Sequence, residues 1–298
     1  MGIQHILKTA KYTDDVVKIS DEVLVRIQEQ LLNMIKEIAP VLEKRGIDWV
    51  LTAGSMLGAV RHKGFIPWDD DLDILMTREN FIAFEKIFDK ELSKEYILKR
   101  PGDKGYLLHY PQIQKRGTVM QNLQSTEECT DGLFIDVFIL ENTFDNIFFR
   151  LLHGLLCTSL LFIDSTVRMS KCKKTIFKYT DNDPAVKRAI NMRARLAFLF
   201  CFLPFEEWLK ISDKVFSCVK KNSSIGVIPG GAKHFFGELF PKSIFFPSKI
   251  VDFNGINVRI PIDPKLYLVK RYGAGYMKMP PVSQREQHIY IRVELPAK

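Results

Sequence analysis

The chain has 298 residues, 46% hydrophobic and 26% charged, which is ordinary for a globular protein and enough for one large domain or two small ones. Its five cysteines are scattered, with no C-x-x-C pair; this argues against a disulfide scaffold or structural zinc and suits a reducing cytoplasm. The net charge of +8 is concentrated between Arg168 and Arg195, where nine basic residues stand against two acidic ones, so the expected partner is anionic: a lipid surface, a phosphorylated acceptor or nucleic acid.

The N-terminal Met1-Gly2-Ile3-Gln4-His5 has no apolar signal core. Residues 19–45 read as an amphipathic helix, with Ser20 as N-cap, an apolar stripe through Ile27, Leu31, Met34 and Ile38, and Gly46 as its stop. A strand-like run over 47–53 leads into Gly54-Ser55, where missing side-chain bulk and a hydroxyl suit a phosphate. A short helix over 56–60 would aim its positive end at the same group, and Arg61, His62 and Lys63 add complementary charge.

Four carboxylates then crowd into five positions, Asp69, Asp70, Asp71 and Asp73, directly before Ile74-Leu75-Met76. Such crowding is unfavourable unless a cation neutralises it. Residues 71–76 read as a strand, on which Asp69, Asp71 and Asp73 share one face. On a helix, Asp71 and Asp73 would diverge by about 200°. Thr77 caps a following helix, and strands are expected at 96–99 and 110–115 around the turn 101–105. Lys115 and Arg116 end the second of these as candidate phosphate ligands. The run 133–140 is apolar on both faces and so central. Asp136 is a lone carboxylate within it, either paired structurally or a third metal ligand beside Asp71 and Asp73.

Residues 143–225 differ in character. The apolar run 147–163 is interrupted by Arg150 and His153, and a second run, 196–203, stops at Pro204. Two readings stay open: a helical subdomain with its own core, or a surface that dips into one leaflet with the basic segment 168–195 on the headgroups. Farther on, Asn254-Gly255 marks a hairpin over 249–260, and 264–273 reads as a short helix ending at glycine.

Rival uses of the acidic cluster fit less well. A calcium loop counted from Asp69 would need Gly and Glu where Ile74 and Asn80 stand. An Asp-Asp-x-x-Asp of the terpenoid-synthase kind sits on a helix. A dehalogenase-type phosphatase with Asp71 as nucleophile would have Thr or Val in place of Leu75. A metal-dependent glycosyltransferase Asp-x-Asp is the stronger competitor, but it leaves Gly54-Ser55 unexplained.

The runs Gly54-Ser55-Met56-Leu57-Gly58-Ala59-Val60-Arg61-His62 and Phe65-Ile66-Pro67-Trp68-Asp69-Asp70-Asp71-Leu72-Asp73-Ile74 resemble the LicD family of phosphocholine transferases and, more distantly, fukutin and fukutin-related protein. Weaker echoes lie at Gly132-Leu133-Phe134-Ile135-Asp136-Val137-Phe138 and Tyr272-Gly273-Ala274-Gly275-Tyr276-Met277. The resemblance implies a single α/β (α+β) domain over 1–298, a nucleotidyltransferase-type mixed sheet core over 20–142, a helical basic insertion over 143–225, and a C-terminal hairpin and helix over 226–298. It further implies transfer of a substituted phosphate from a CDP-linked donor to a hydroxyl of a cell-surface glycan or its lipid-linked precursor. A glycosyl or nucleotidyl transfer at the same Asp-x-Asp is the alternative. Asp71, Asp73 and Asp136 would be the catalytic and metal-ligating residues for Mg²⁺ or Mn²⁺. Gly54, Ser55, Arg61, Lys63, Lys115 and Arg116 would bind the donor. The expected place is the cytoplasm, peripheral to the inner face of an anionic membrane. No nucleic-acid partner is expected, because no binding motif accompanies the charge. The tail 283–288 is expected to fold back over the site, although His288 taken alone reads as a surface histidine.

Overall fold

The computed structural model describes residues 7, 10–125, 131–181, 183–285 and 287–296. The run Met1–His5, Cys129 and Glu286 of the tail lie outside the described residues. Helix α1 (Asp21–Lys44) starts where the Ser20 hydroxyl accepts the Val23 N–H, and buries a stripe from Leu24 to Leu42. Gly46, at φ 64°, takes the left-handed conformation that lets the chain turn out of the helix. There follow β1 (Val50–Leu51), α2 (Ala53–His62), β2 (Asp73–Thr77), α3 (Arg78–Glu91), β3 (Tyr96–Lys99), β4 (Gln112–Lys115), β5 (Val119–Asn122) and β6 (Phe134–Asn142).

The sheet order is β1-β2-β6-β4-β3. Strands β2 and β6 run parallel, while β1 joins β2, and β4 joins β6, antiparallel. This is a mixed α/β fold. Strand β6 is central, and its apolar residues Ile135, Val137 and Leu140 are essentially inaccessible. The main core joins these to Leu31, Ile35 and Ile38 of α1 and to Phe84 of α3.

Helices α4 (Ile147–Lys171), α5 (Lys173–Tyr179), α6 (Pro184–Ala197) and α7 (Phe205–Phe216) follow β6. They enclose a separate apolar cluster of Met169, Cys172, Ile176, Ile190, Phe205 and Leu209. Arg78 ties α7 to the sheet through Asp213, at 2.8 Å, and through Glu141 of β6. The chain then adds β7 (Ile225–Val227), α8 (His234–Gly237) and β8 (Leu239–Pro241), with β7 pairing β6.

The hairpin β9 (Lys249–Phe253) and β10 (Ile256–Ile260) turns at Asn254-Gly255, with φ of 51° and 80°, the sign a type I′ turn requires. Asn254 also accepts the Phe65 N–H at 2.8 Å, which fixes the loop ahead of the acidic run. Helix α9 (Pro264–Tyr272) ends at Gly273, and β11 (Tyr290–Glu294) pairs with β5.

Two local expectations are corrected. The strand read over 71–76 begins at Asp73. Pro67 and Trp68 make a turn closed by Asp69 N–H to the Ile66 carbonyl at 2.9 Å, so Asp69 to Leu72 form a loop. Helix α2 starts at Ala53, not after Gly54-Ser55, so both residues lie in its first turn.

Candidate active site

Strand register builds the site. Asp73 opens β2 opposite Asp136 of β6, and Gln112 of β4 lies opposite Asp136 on its other side. Asp71 reaches the same place from the loop. One carboxylate oxygen each of Asp71, Asp73 and Asp136 lie within 4.8 Å of one another. The scaffold is pinned by three bonds: Asp73 N–H donates to Ser55 Oγ at 2.8 Å, Thr52 N–H to the Asp73 carbonyl at 3.0 Å, and Asp136 N–H to the Leu72 carbonyl at 2.9 Å. Gln112 Nε2 donates to Asp136 Oδ1 at 2.7 Å, and Gln114 Nε2 holds the Gln112 oxygen at 2.9 Å.

Asp73 and Asp136 are each 6% exposed. Burial, then the negative charge of Asp71, pushes the Asp136 carboxyl up to about 7, with the Gln112 hydrogen bond opposing. Asp73 is raised well above the usual range by burial and by Asp71, Asp136 and Asp69. Asp71 is raised by burial and by Asp70, against the pull of His288. A buried site that accumulates this much like charge is complementary to a cation. Its all-carboxylate donor set fits a hard, oxygen-preferring divalent ion. These residues can therefore hold a metal ion.

A second group borders the first. The C-terminal tail crosses the acidic loop, where His288 Nδ1 lies 2.8 Å from Asp70 Oδ1 and the His288 N–H donates to Asp70 Oδ2 at 3.2 Å. Arg285 lies over the Trp68 ring, 4.3 Å from its centroid. Burial disfavours protonated His288, but Asp70, Asp71 and Asp136 outweigh it and raise the ring to about 10. The imidazolium partly balances the acidic cluster.

The comparisons with known proteins point to one family. The family model for the LicD/FKTN/FKRP nucleotidyltransferase domain matches residues 46–150, the stretch that holds all three carboxylates. The lipopolysaccharide cholinephosphotransferase LicD of Haemophilus influenzae is 25% identical over 258 residues, 86% of this chain and 92% of that protein. Residues 46–150 match the LicD family model, and most of the chain is similar to a LicD phosphotransferase. Uncharacterised proteins of Rickettsia typhi and Rickettsia prowazekii match shorter stretches. The first is 35% identical over 33% of this chain and 31% of its own length. The second is 42% identical over 19% and 21%.

In this LicD-like chain the other sequence-predicted residues divide into two sets. A Cβ at Gly54 would lie 2.9 Å from Asp69 Oδ2, so its bare Cα makes room for that carboxylate. The Ser55 oxygen is engaged by Asp73 N–H, so the hydroxyl ties α2 to β2. Arg61 donates to the carbonyls of Tyr276 and Lys278 at 2.9 and 3.3 Å and so holds the C-terminal segment. Lys63 ends α2 at φ 57° with an exposed side chain. Lys115 Nζ donates to Gln30 of α1 at 2.8 Å, and Arg116 to the Ser93 carbonyl at 2.9 Å. Neither is bonded to the carboxylates: β4 turns Gln112 and Gln114 towards the site and alternation sends Lys115 the other way, while Arg116 lies past the end of the strand and is held at Ser93.

Sequence reasoning missed several groups beside the site. Asp70 belongs to the acidic run, which assigns it no role; it is 3% exposed and held by His288, a partner the sequence does not indicate. Gln112 and Gln114 alternate on β4, a period-2 signal that was available. The Tyr267 hydroxyl meets Thr52 Oγ1 at 3.1 Å and the Ala53 N–H at 3.3 Å, at the start of α2. Arg271 pairs with buried Glu238 at 2.7 Å.

Proposed function

We propose that the chain transfers a substituted phosphate, phosphocholine or a close analogue, from a CDP-activated donor to a hydroxyl of a cell-surface glycan or its lipid-linked precursor. The observation that carries this reading is the convergence of Asp71, Asp73 and Asp136 from a loop and two parallel strands onto one point. The family match and the lipopolysaccharide cholinephosphotransferase relative support the substrate class. The free cysteines Cys157, Cys172, Cys201 and Cys218 fit a reducing compartment, and the cytoplasm is the proposed place.

Asp71, Asp73 and Asp136 would hold Mg²⁺ or Mn²⁺, which would supply charge neutralisation for a diphosphate. The remaining work falls to the chain's own groups. The first turn of α2, at Gly54 and Ser55, presents backbone N–H groups to a phosphate oxygen. Gln112 fixes the rotamer of Asp136. Whichever of Asp73 and Asp136 is not fully engaged by the ion would accept the proton of the acceptor hydroxyl. The acceptor oxygen then forms the new bond to phosphorus as the bond to CMP breaks. Positioning and electrostatics supply most of the acceleration in such transfers.

The test is turnover by the purified chain with CDP-choline, CDP-ribitol, CDP-glycerol, CTP and UDP-sugars, with lipopolysaccharide as acceptor, followed by phosphorus NMR. Metal-dependent CMP release from one CDP donor, absent in Asp71→Ala, is the expected result. UDP release from a nucleotide sugar would establish a glycosyltransferase instead.

A further inference from the structure

The helical layer leaves an apolar surface with no partner inside the protein. Thirteen of the 24 exposed large apolar side chains recorded among the described residues fall between Ile147 and Phe202. On α4 they form a helical row that includes Phe148, Leu151, Leu155 and Phe162, 47–61% exposed. On α6 and the turn after it the row is Met192, Leu196 and Leu199, with Phe198 75% and Phe202 69% exposed. The two helices pack together, and Arg193 of α6 donates to Ser165 of α4 at 3.1 Å. Patches of this size on a globular protein mark a protein or membrane contact.

The surrounding charge selects between those occupants. Residues 168–195 carry nearly the whole positive excess of the chain. Lys171, Lys174, Lys178, Arg188 and Arg195 are exposed. By helical spacing Arg188, Met192 and Arg195 share one face of α6, so cations and an apolar group alternate on it. A second copy of this chain would bring the same positive charge against itself, whereas anionic lipid headgroups complement it.

Helix α4 is long and apolar enough to cross a membrane, but the structure keeps it on one side. Its opposite face buries His153, Cys157, Leu161 and Asp164. The Asp164 carboxylate accepts from Ser212 of α7 at 2.8 Å. A Cβ on Gly154 would stand 2.6 Å from the ring of Phe235, so the helix lies hard against α8. Only the outer stripe is available to lipid, which is the form of an interfacial helix.

We infer that the α4/α6 face is a peripheral docking surface for an anionic lipid bilayer, with its apolar rows entering one leaflet and its basic residues on the headgroups. The surface alone carries this, independently of the donor or acceptor at the active site. The test is co-flotation of the full chain with phosphatidylcholine vesicles with and without phosphatidylglycerol, beside a thermal melt of each variant and its sedimentation without lipid. Binding is expected only to the anionic vesicles. Leu151→Ser with Leu155→Ser is expected to weaken it at least about tenfold, and Arg188→Glu and Arg195→Glu at least about fivefold each, all with melts unchanged. In a Phe198→Trp chain the new fluorescence is expected to be quenched by brominated acyl chains. Binding unaffected by the leucine changes, or a Phe198→Trp signal that brominated lipid leaves alone, would overturn insertion. Concentration-dependent dimers abolished by the leucine changes, without vesicle binding, would assign the face to a second copy and overturn the proposal. Failure of all chains to float would overturn it as well, and turnover of CDP donors would be untouched by that result.

Discussion

Asp164 supplies a stability prediction that can be worked from the structure. Its side chain is 2% exposed. One oxygen accepts from Ser212 and the other, Oδ1, is buried with no hydrogen-bond partner. Burial raises its carboxyl to about 7, with the Ser212 bond and the Arg168 charge opposing. A carboxyl raised in the folded state binds more protons there than when unfolded. Its contribution is therefore most favourable below the unfolded value of 3.8 and is lost as pH rises towards 7. Integrated between about pH 5 and about pH 8, the loss is about 2.5 kcal/mol. Asparagine cannot ionise, so Asp164→Asn removes this slope, at a fixed offset of about 1–3 kcal/mol for the amide protons it leaves unpaired. Urea melts of both chains across that range test the point. The stability difference should move in favour of the variant by about 2.5 kcal/mol as pH rises. A difference that stays constant with pH would refute the reasoning.

Three further outcomes follow from named contacts. Gln112→Leu removes the group that orients Asp136, and loss of such a partner lowers activity or metal affinity about 10- to 100-fold; steady-state turnover and metal titration should both show it, with little change in melting. Arg271→Met leaves Glu238, 1% exposed, without its counter-charge, a loss of about 3–5 kcal/mol, and adding Glu238→Gln should recover much of it in chemical denaturation. Gly154→Ala forces a methyl towards Phe235, and overpacking of this kind destabilises by about 1–3 kcal/mol; a melt equal to that of the parent chain would show that the α4–α8 contact yields without strain.

Local signals were legible where one residue type serves one conformation. Asn254-Gly255 specified the hairpin because few other pairs accept two positive φ angles. Asp136 stood out because an apolar central strand has little reason to carry a carboxylate, and parallel pairing with β2 brings it beside Asp73. Periodicity misjudged the stretch before Asp73, where alternation continued on paper but Pro67 and Trp68 fold the chain into a turn. Lys115 and Arg116 carry suitable charge, but strand parity turns Lys115 away from the site towards Gln30, and Arg116, just past the end of β4, is held by the Ser93 carbonyl. The Asp70–His288 contact had no local signal, since it depends on β11 pairing with β5 across more than half the chain.

The most direct test of the central claim is Mn²⁺ binding, read by electron paramagnetic resonance, in the parent chain and in Asp136→Asn. The account predicts a bound ion in the parent and at least about tenfold weaker binding in the variant, because losing a ligand should exceed the loss of a supporting partner. Equal Mn²⁺ affinity in the two chains would contradict a site shared by Asp71, Asp73 and Asp136.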